Sequence, residues 1–219
     1  MKKINWPDHL TNLLVVILGI TIAFYLESWK DINKSQKLEQ QYLKSLAVDL
    51  KNDRSYLDTL LIINKSIEHS LDVLTGATIG KPYHEDSLVT HLLSTQFIPP
   101  FKPQKVTYES LKATGSLEVI SDFELRNIIV ELYEQYYRGS QEFDQAVSDH
   151  TQNYIQPYFI KNLTYISPGK IKTGFLKENE VRNMFFAEKN IFQLRSNFYL
   201  TLDKKLDEVM DQVNEAIND

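Results

Sequence analysis

From Leu10 to Leu26 the chain reads LTNLLVVILGITIAFYL, and between Leu13 and Leu26 it carries no charged residue. A transmembrane helix needs roughly 20 mostly apolar residues, with about 17 as the working minimum. This run meets that limit, and its flanks support a span. Trp6 and Trp29 bracket it, and at about 1.5 Å per residue they lie roughly 34 Å apart, which suits the two interfacial belts. Pro7 falls where a helix would begin, a place where its missing N–H costs little. A cleaved signal peptide would need small residues at the cleavage site, whereas ITIAFYLESW offers Phe, Tyr and Leu. A buried core helix is also compatible with so short a run. We read an uncleaved anchor: a flank at 1–9, a transmembrane span at 10–28 and a helical domain at 29–219. Trp6 and Trp29 are the expected interface anchors. Gly19 and Ala23 form a small-xxx-small pair through which two such helices could approach closely.

Orientation is read from the flanks. Lys2 and Lys3 precede the span while Lys30, Lys34 and Lys37 follow it, which nearly balances the positive-inside rule. A short basic N-terminus ahead of a single span usually stays in the cytoplasm. The expected address is therefore a bacterial inner membrane, single-pass, with the helical domain exported. Leu10–Leu26 holds no carboxylate or histidine of the kind that proton relays place in hydrocarbon, and Asp8, His9 and Glu27 fall at its ends, where water can reach them. It is read as an anchor contacting lipid.

Seven Gly and seven Pro in 219 residues leave too few turn residues for a many-stranded sandwich or barrel. Long helices are the alternative. With no cysteine, disulfide frameworks, thiolate zinc sites, cysteine nucleophiles and iron–sulfur clusters are excluded. The net charge of -5 argues against nucleic acid as a partner. Beyond Leu26, 22 basic residues face 28 acidic ones, an unfavourable balance for a body lying on anionic lipid.

A 3–4 repeat runs through Leu43, Leu46, Leu50, Asp53, Leu57, Leu60, Asn64, Ile67, Leu71 and Leu74, which is a strong helical signal. Asp53 and Asn64 are expected where this stripe meets solvent, although buried polar residues can also fix register. The seam could meet a second copy or later helices of its own chain, and the many apolar residues downstream favour the latter. Long helices are expected at about 30–75, 121–155 and 178–216, with short ones at Asp86–Thr95 and Thr107–Thr114. Gly115 should cap the second short helix, and Ser121 with Glu124 should form a capping box for the next long one. That helix carries a stripe through Leu125, Ile129, Leu132, Tyr136, Gly139, Phe143, Ala146 and His150. The last helix repeats Phe185, Phe192, Tyr199, Leu206 and Val213 every seven residues. Residues 76–106 and 156–177 hold most of the Gly and Pro and read as irregular. The fold expected is all-α, an N-terminal transmembrane helix continuing into an elongated antiparallel helical bundle.

Catalytic chemistry is hard to find. His84, Glu85, Asp86 and His91 are ligand types, but the histidines stand seven apart and match no metal spacing. No Gly-rich phosphate loop, GxSxG elbow or HExxH motif occurs. The carboxylates look scattered over helix faces, with no pair isolated enough to raise a pKa. His150 is expected as a hydrogen-bonded core residue. Tyr133, Tyr136, Tyr137, Tyr154, Tyr158 and Phe159 could line a pocket or fill a bundle core, and helical spacing favours the core. No catalytic, cofactor-binding or metal-ligating residue is assigned, and no cofactor is expected.

Two stretches carry a resemblance. IAFYLESWKD with LEQQYLKSLAVDLKNDRSYLD, and TYESLKATGSLEVISDFELRNIIVELYEQYY at 107–137, resemble a Bacteroidota family of small single-span membrane proteins with a helical domain of unknown function. In the second stretch the matching positions are Tyr108, Leu111, Gly115, Leu117, Ile120, Leu125, Arg126 and Tyr133. Many relatives carry a longer basic region before the span, where this chain has Lys2 and Lys3. The resemblance implies an address and an architecture, with no activity and no catalytic residues. The function expected is a non-enzymatic accessory or scaffold subunit of an envelope assembly, with a protein partner or a second copy of itself. The alternatives are a ligand-sensing module acting through a separate output partner and, third, an enzyme.

Overall fold

With no proline and only Gly19 between Pro7 and Gly76, the chain forms one continuous helix in the computed structural model, α1, Trp6–Thr78. The structure describes the backbone of residues 6–167 and 170–218 and the side chains of 13–165 and 170–218. At about 1.5 Å per residue, α1 is roughly 110 Å long. It ends in a Schellman turn: the Lys81 N–H donates to the Gly76 carbonyl at 3.0 Å and the Gly80 N–H to that of Ala77 at 3.2 Å. Gly80 adopts φ +82 there, a conformation that glycine enters without a Cβ penalty.

The Gly/Pro-rich stretch that follows is the second leg of the bundle. It contains α2, Glu85–Ser94, an extended segment through the prolines, α3, Val106–Ala113, and a 3₁₀ turn, Ser116–Val119. Its partners on α1 descend in order. His91 Nδ1 lies 3.0 Å from Ser70 Oγ, and the Tyr56 hydroxyl donates to the Pro100 carbonyl at 2.9 Å. The Gln104 N–H donates to Asp53 at 2.7 Å and the Ser121 N–H to Glu39 at 2.6 Å. Extended backbone covers about twice the distance per residue of helix, so few residues suffice to run back along α1. Phe101, from the proline cluster, is buried in the core. Gly115 sits at φ +66 just beyond α3, closing that helix as expected.

The third leg starts one residue later than the expected capping box. Asp122 is the N-cap, accepting the Leu125 N–H at 3.0 Å, while the Ser121 amide and hydroxyl both go to Glu39. The leg comprises α4, Phe123–Glu131, a π-turn, Leu132–Tyr136, α5, Tyr137–His150, a second π-turn, Thr151–Ile155, and α6, Gln156–Asn162. Each π-turn accommodates an extra residue, and the first rotates the inward face by one position. The inward residues after it are Tyr137, Ser140, Val147 and Thr151. Of the positions a regular helix would bury, Tyr136, Gly139 and Phe143 are only partly buried and Ala146 is exposed, while the His150 side chain stays largely buried. The leg also passes Pro157 and extends beyond the expected end near 155.

A two-stranded hairpin not foreseen in the sequence, β1, Tyr165–Ser167, and β2, Lys170–Ile171, leads through a 3₁₀ turn, Gly174–Lys177, into α7, Asn179–Asn218. The register pairs Tyr165 with Ile171 and Ser167 with Lys170. α7 runs antiparallel to α1. Gln40 Nε2 donates to the Ala216 carbonyl at 3.1 Å, Arg54 pairs with Asp203 and Asp207 at 2.6 Å each, and Lys189 pairs with Asp72 at 2.6 Å. The leucine seam of α1 therefore meets the last helix of its own chain. Apart from the hairpin the fold is all-α, an up-down-up-down bundle of about 60 Å.

Candidate functional site

Two features stand out from ordinary bundle packing: the bare first part of α1, and polar layers that divide the core. Every large apolar side chain from Leu13 to Leu26 is at least half exposed, and the bundle begins only at about Glu39. α1 is long and apolar enough to cross a membrane, and none of its apolar window is buried. Trp29 is 61% exposed at the end of that window. The side chain of Trp6 lies outside the described residues. Gly19 and Ala23 stand one turn apart on the uncovered helix, and a Cβ at Gly19 would meet nothing within 4 Å.

The apolar core falls into three clusters along the bundle axis. Nearest the bare segment are Leu43 to Leu60 with Tyr108, Tyr137, Tyr199 and Val213 among others. Ile67, Leu71, Val147 and Phe192 form the middle cluster. The far cluster gathers Leu74, Leu88, Phe159, Phe175 and Phe185. Between the first two lies Arg195, fully buried. Its Nε donates to Asp144 Oδ1 at 2.6 Å, Nη1 to Asn64 Oδ1 at 3.0 Å, and Nη2 to the Pro99 carbonyl at 2.5 Å and the Tyr199 hydroxyl at 2.9 Å. Tyr199 in turn donates to Asp144 Oδ1 at 2.7 Å, and the Phe101 N–H donates to Asp144 Oδ2 at 2.9 Å. Burial pushes the Tyr199 hydroxyl's pKa up, so it stays a donor. The guanidinium carbon also lies 4.6 Å from the Tyr199 ring centroid, within cation–π range. All four legs supply a group to this one cation.

A second layer separates the middle and far clusters. Glu188 is fully buried, accepts from Thr151 Oγ1 at 2.9 Å and pairs with His150 Nδ1. His150 is thus a hydrogen-bonded, largely buried histidine, as expected. A third polar point lies within the first cluster. Asp53 accepts from the Gln104 N–H and from the Tyr137 hydroxyl, both at 2.7 Å. Burial raises its pKa to about 6, against the opposing pull of those two donors.

These layers correct two expectations. Asp53 and Asn64 are buried, not placed at a solvent margin, because α7 and the descending leg cover both flanks of the α1 stripe. The carboxylates are not all on solvated faces either, since Asp53, Asp144 and Glu188 are each enclosed. A signal existed in α7, whose heptads place Glu188 and Arg195 three residues after Phe185 and Phe192, on the same inward stripe. Their partners were illegible because they come from other legs.

His84, Glu85, Asp86 and His91 are not brought together. His91 turns to Ser70 and meets the His69 ring edge at 5.7 Å, where burial and His69 depress its pKa. His84 and Asp86 stay exposed. Among the described residues no group of three or more His, Asp or Glu is placed to hold a metal ion. The aromatic residues pack against each other: Tyr133 stacks on Tyr108 at 4.2 Å and meets Tyr137 edge-on at 4.9 Å, and Phe159 meets Phe185 at 6.3 Å. Tyr154 is exposed. Chemically, the polar layers lock register: all three nitrogens of Arg195 donate within the bundle, and a buried charge so enclosed resists sliding of one helix against another.

A family model described as a family of unknown function (DUF6090) matches residues 12–166. No curated protein and no solved structure matches the chain.

Proposed function

Because the chain belongs to the family of unknown function DUF6090, membership brings no activity with it, and we propose on physical grounds that it is a single-span membrane protein of a Bacteroidota-type envelope, working as a non-enzymatic accessory or scaffold subunit. The span is residues 10–28, Trp29 marks one interface, and the bundle is exported from the inner membrane. One observation supports this most. The apolar window of α1 is wholly uncovered although it continues, without a break, into a helix buried on one face. A soluble core helix of such composition would be covered by its own fold, since exposed apolar area costs about 25 cal/mol per Å². Lipid supplies the missing cover, and the unbroken helix makes the bundle a stiff projection from it.

The reading as scaffold draws on the polar layers, which hold one register and spend their hydrogen bonds internally. Ligand sensing has less support, because the aromatic residues it would use are packed on one another. Crosslinking in the native membrane followed by copurification of the tagged full chain tests the proposal. A specific protein partner or a crosslinked homo-oligomer is the expected result. A chain released by alkaline carbonate, or one recovered as a monomer with nothing attached, overturns it. Protease accessibility in spheroplasts reads the orientation.

A further inference from the structure

The chain is acidic overall, yet residues 156–177 contain Lys161, Lys170, Lys172 and Lys177 and no acidic residue. The described residues of this segment form α6, the two strands and the following 3₁₀ turn, and so cap the end of the bundle furthest from the bare part of α1. All four lysines are exposed, and among them Ile160 is 84% and Tyr165 58% exposed. Aliphatic and tyrosyl groups set among lysines suit an anionic bilayer surface: the cations meet headgroups while the apolar groups enter the interface. Lys81, at the end of α1, adds to the same end. The opposing charges there are Glu85, Asp86, Glu178 and Glu180. Asp86 lies 3.8 Å from Lys170, and Glu178 accepts from the Tyr158 hydroxyl at 2.6 Å. Neither contact covers Lys161, Lys172, Ile160 or Tyr165.

We infer that this far end docks onto an anionic lipid surface other than the one holding the span. The inference rests on the anchor reading above for the word "other". From Trp29 to Thr78, α1 extends roughly 74 Å at about 1.5 Å per residue. An upright bundle therefore carries these lysines well beyond the reach of the headgroups around its own span, since their field decays within a Debye length of about 8 Å. The protein then bridges two facing membranes, with its acidic flanks kept off both.

Reconstitution of the full chain into phosphatidylcholine donor vesicles, with fluorescent acceptor vesicles added, tests this. Donors should capture acceptors containing phosphatidylglycerol and ignore pure phosphatidylcholine acceptors, and capture should fall steeply with added sodium chloride. Each lysine near a charged bilayer is worth roughly a fivefold change in binding. The K161Q/K170Q/K172Q variant should therefore weaken capture roughly a hundredfold while its circular dichroism melt stays unchanged, because all three side chains are exposed. I160S/Y165S should weaken capture in a way that salt does not reproduce. Equal capture of neutral acceptors, undiminished capture by the lysine variant, or no capture by protein that floats with its donors overturns the inference. Protein that fails to float with donors overturns the anchor reading instead, so the two failures are distinct. Capture abolished by competing RNA that itself binds the lysines more tightly than phosphatidylglycerol does would assign the surface to nucleic acid and overturn the lipid docking.

Discussion

At the scale of single residues, the bundle depends on a few charges placed where water is excluded. Arg195 and Asp144 are 1% and 8% exposed at their side chains. Removing one partner of such a pair leaves the other charge buried and costs about 3–5 kcal/mol, whereas replacing both with apolar groups is often near neutral. Arg195→Ala should therefore destabilise the chain by about 3–5 kcal/mol in urea melts, and Arg195→Met with Asp144→Leu should recover most of it. A loss below about 1 kcal/mol for the single change would remove Arg195 from the centre of the fold. Asp53 makes a pH prediction. Its folded pKa of about 6 exceeds the ordinary carboxylate value of 3.8, with burial the main cause, Asp49 adding and Tyr137, Gln104 and Lys105 opposing. Between those values the native state holds a proton that the unfolded chain has lost. The contribution is present in full below pH 3.8 and is lost as pH rises through about 6; it amounts to about 3 kcal/mol. The difference in stability between Asp53→Asn and the unsubstituted chain should change by that amount over this window. A flat difference would place Asp53 in contact with water.

At the scale of elements, the π-turns matter most. The stripe Leu125, Ile129, Leu132 was legible because a regular helix repeats every 3.6 residues. Beyond Tyr136 the same repeat names the wrong residues, since Leu132–Tyr136 holds one residue more than an α-turn would. The insertion brings Tyr137 to Asp53 and later Thr151 to Glu188. A deletion test follows. Removing Gln135, which is exposed, converts the wide turn to an α-turn and keeps Asp144 and Val147 on the inward face. Removing Gln141 from the regular part of α5 rotates everything after it by about 100°. The first deletion should retain cooperative unfolding, and the second should abolish it in circular dichroism melts. Equal damage from both would show that the π-turn is not a register insertion.

At the scale of the whole molecule, the bare segment and the bundle are mechanically joined but energetically separate. No side chain from Leu13 to Asp31 is buried, and contacts between legs begin near Glu39 and Gln40. A chain of residues 34–219 should therefore fold in buffer without detergent. Its melting temperature should match that of the full chain in detergent to within a few degrees, where about 1 kcal/mol corresponds to about 2–4 °C for a domain of this size. A truncated chain lacking a cooperative melt would mean that the first part of α1 stabilises the bundle.

Local rules were enough to reveal the apolar run, the all-α class, the leucine seam of α1 and the glycine turn after α3. Each is a matter of periodicity or of one residue's backbone freedom, and both are written in neighbouring positions. The descending leg was hidden because its order comes from lying against α1 and not from its own propensity; Phe101 and Pro99 look like loop residues until Asp144 and Arg195 bind their backbone. The polar layers were hidden for the same reason. A buried charge is tolerable only with partners, and those of Arg195 lie 51 residues away at Asp144 and 131 away at Asn64. Apolar burial follows from the sequence pattern, whereas pairing of buried charges depends on which distant groups the folded chain brings within 3 Å, and only the tertiary structure decides that.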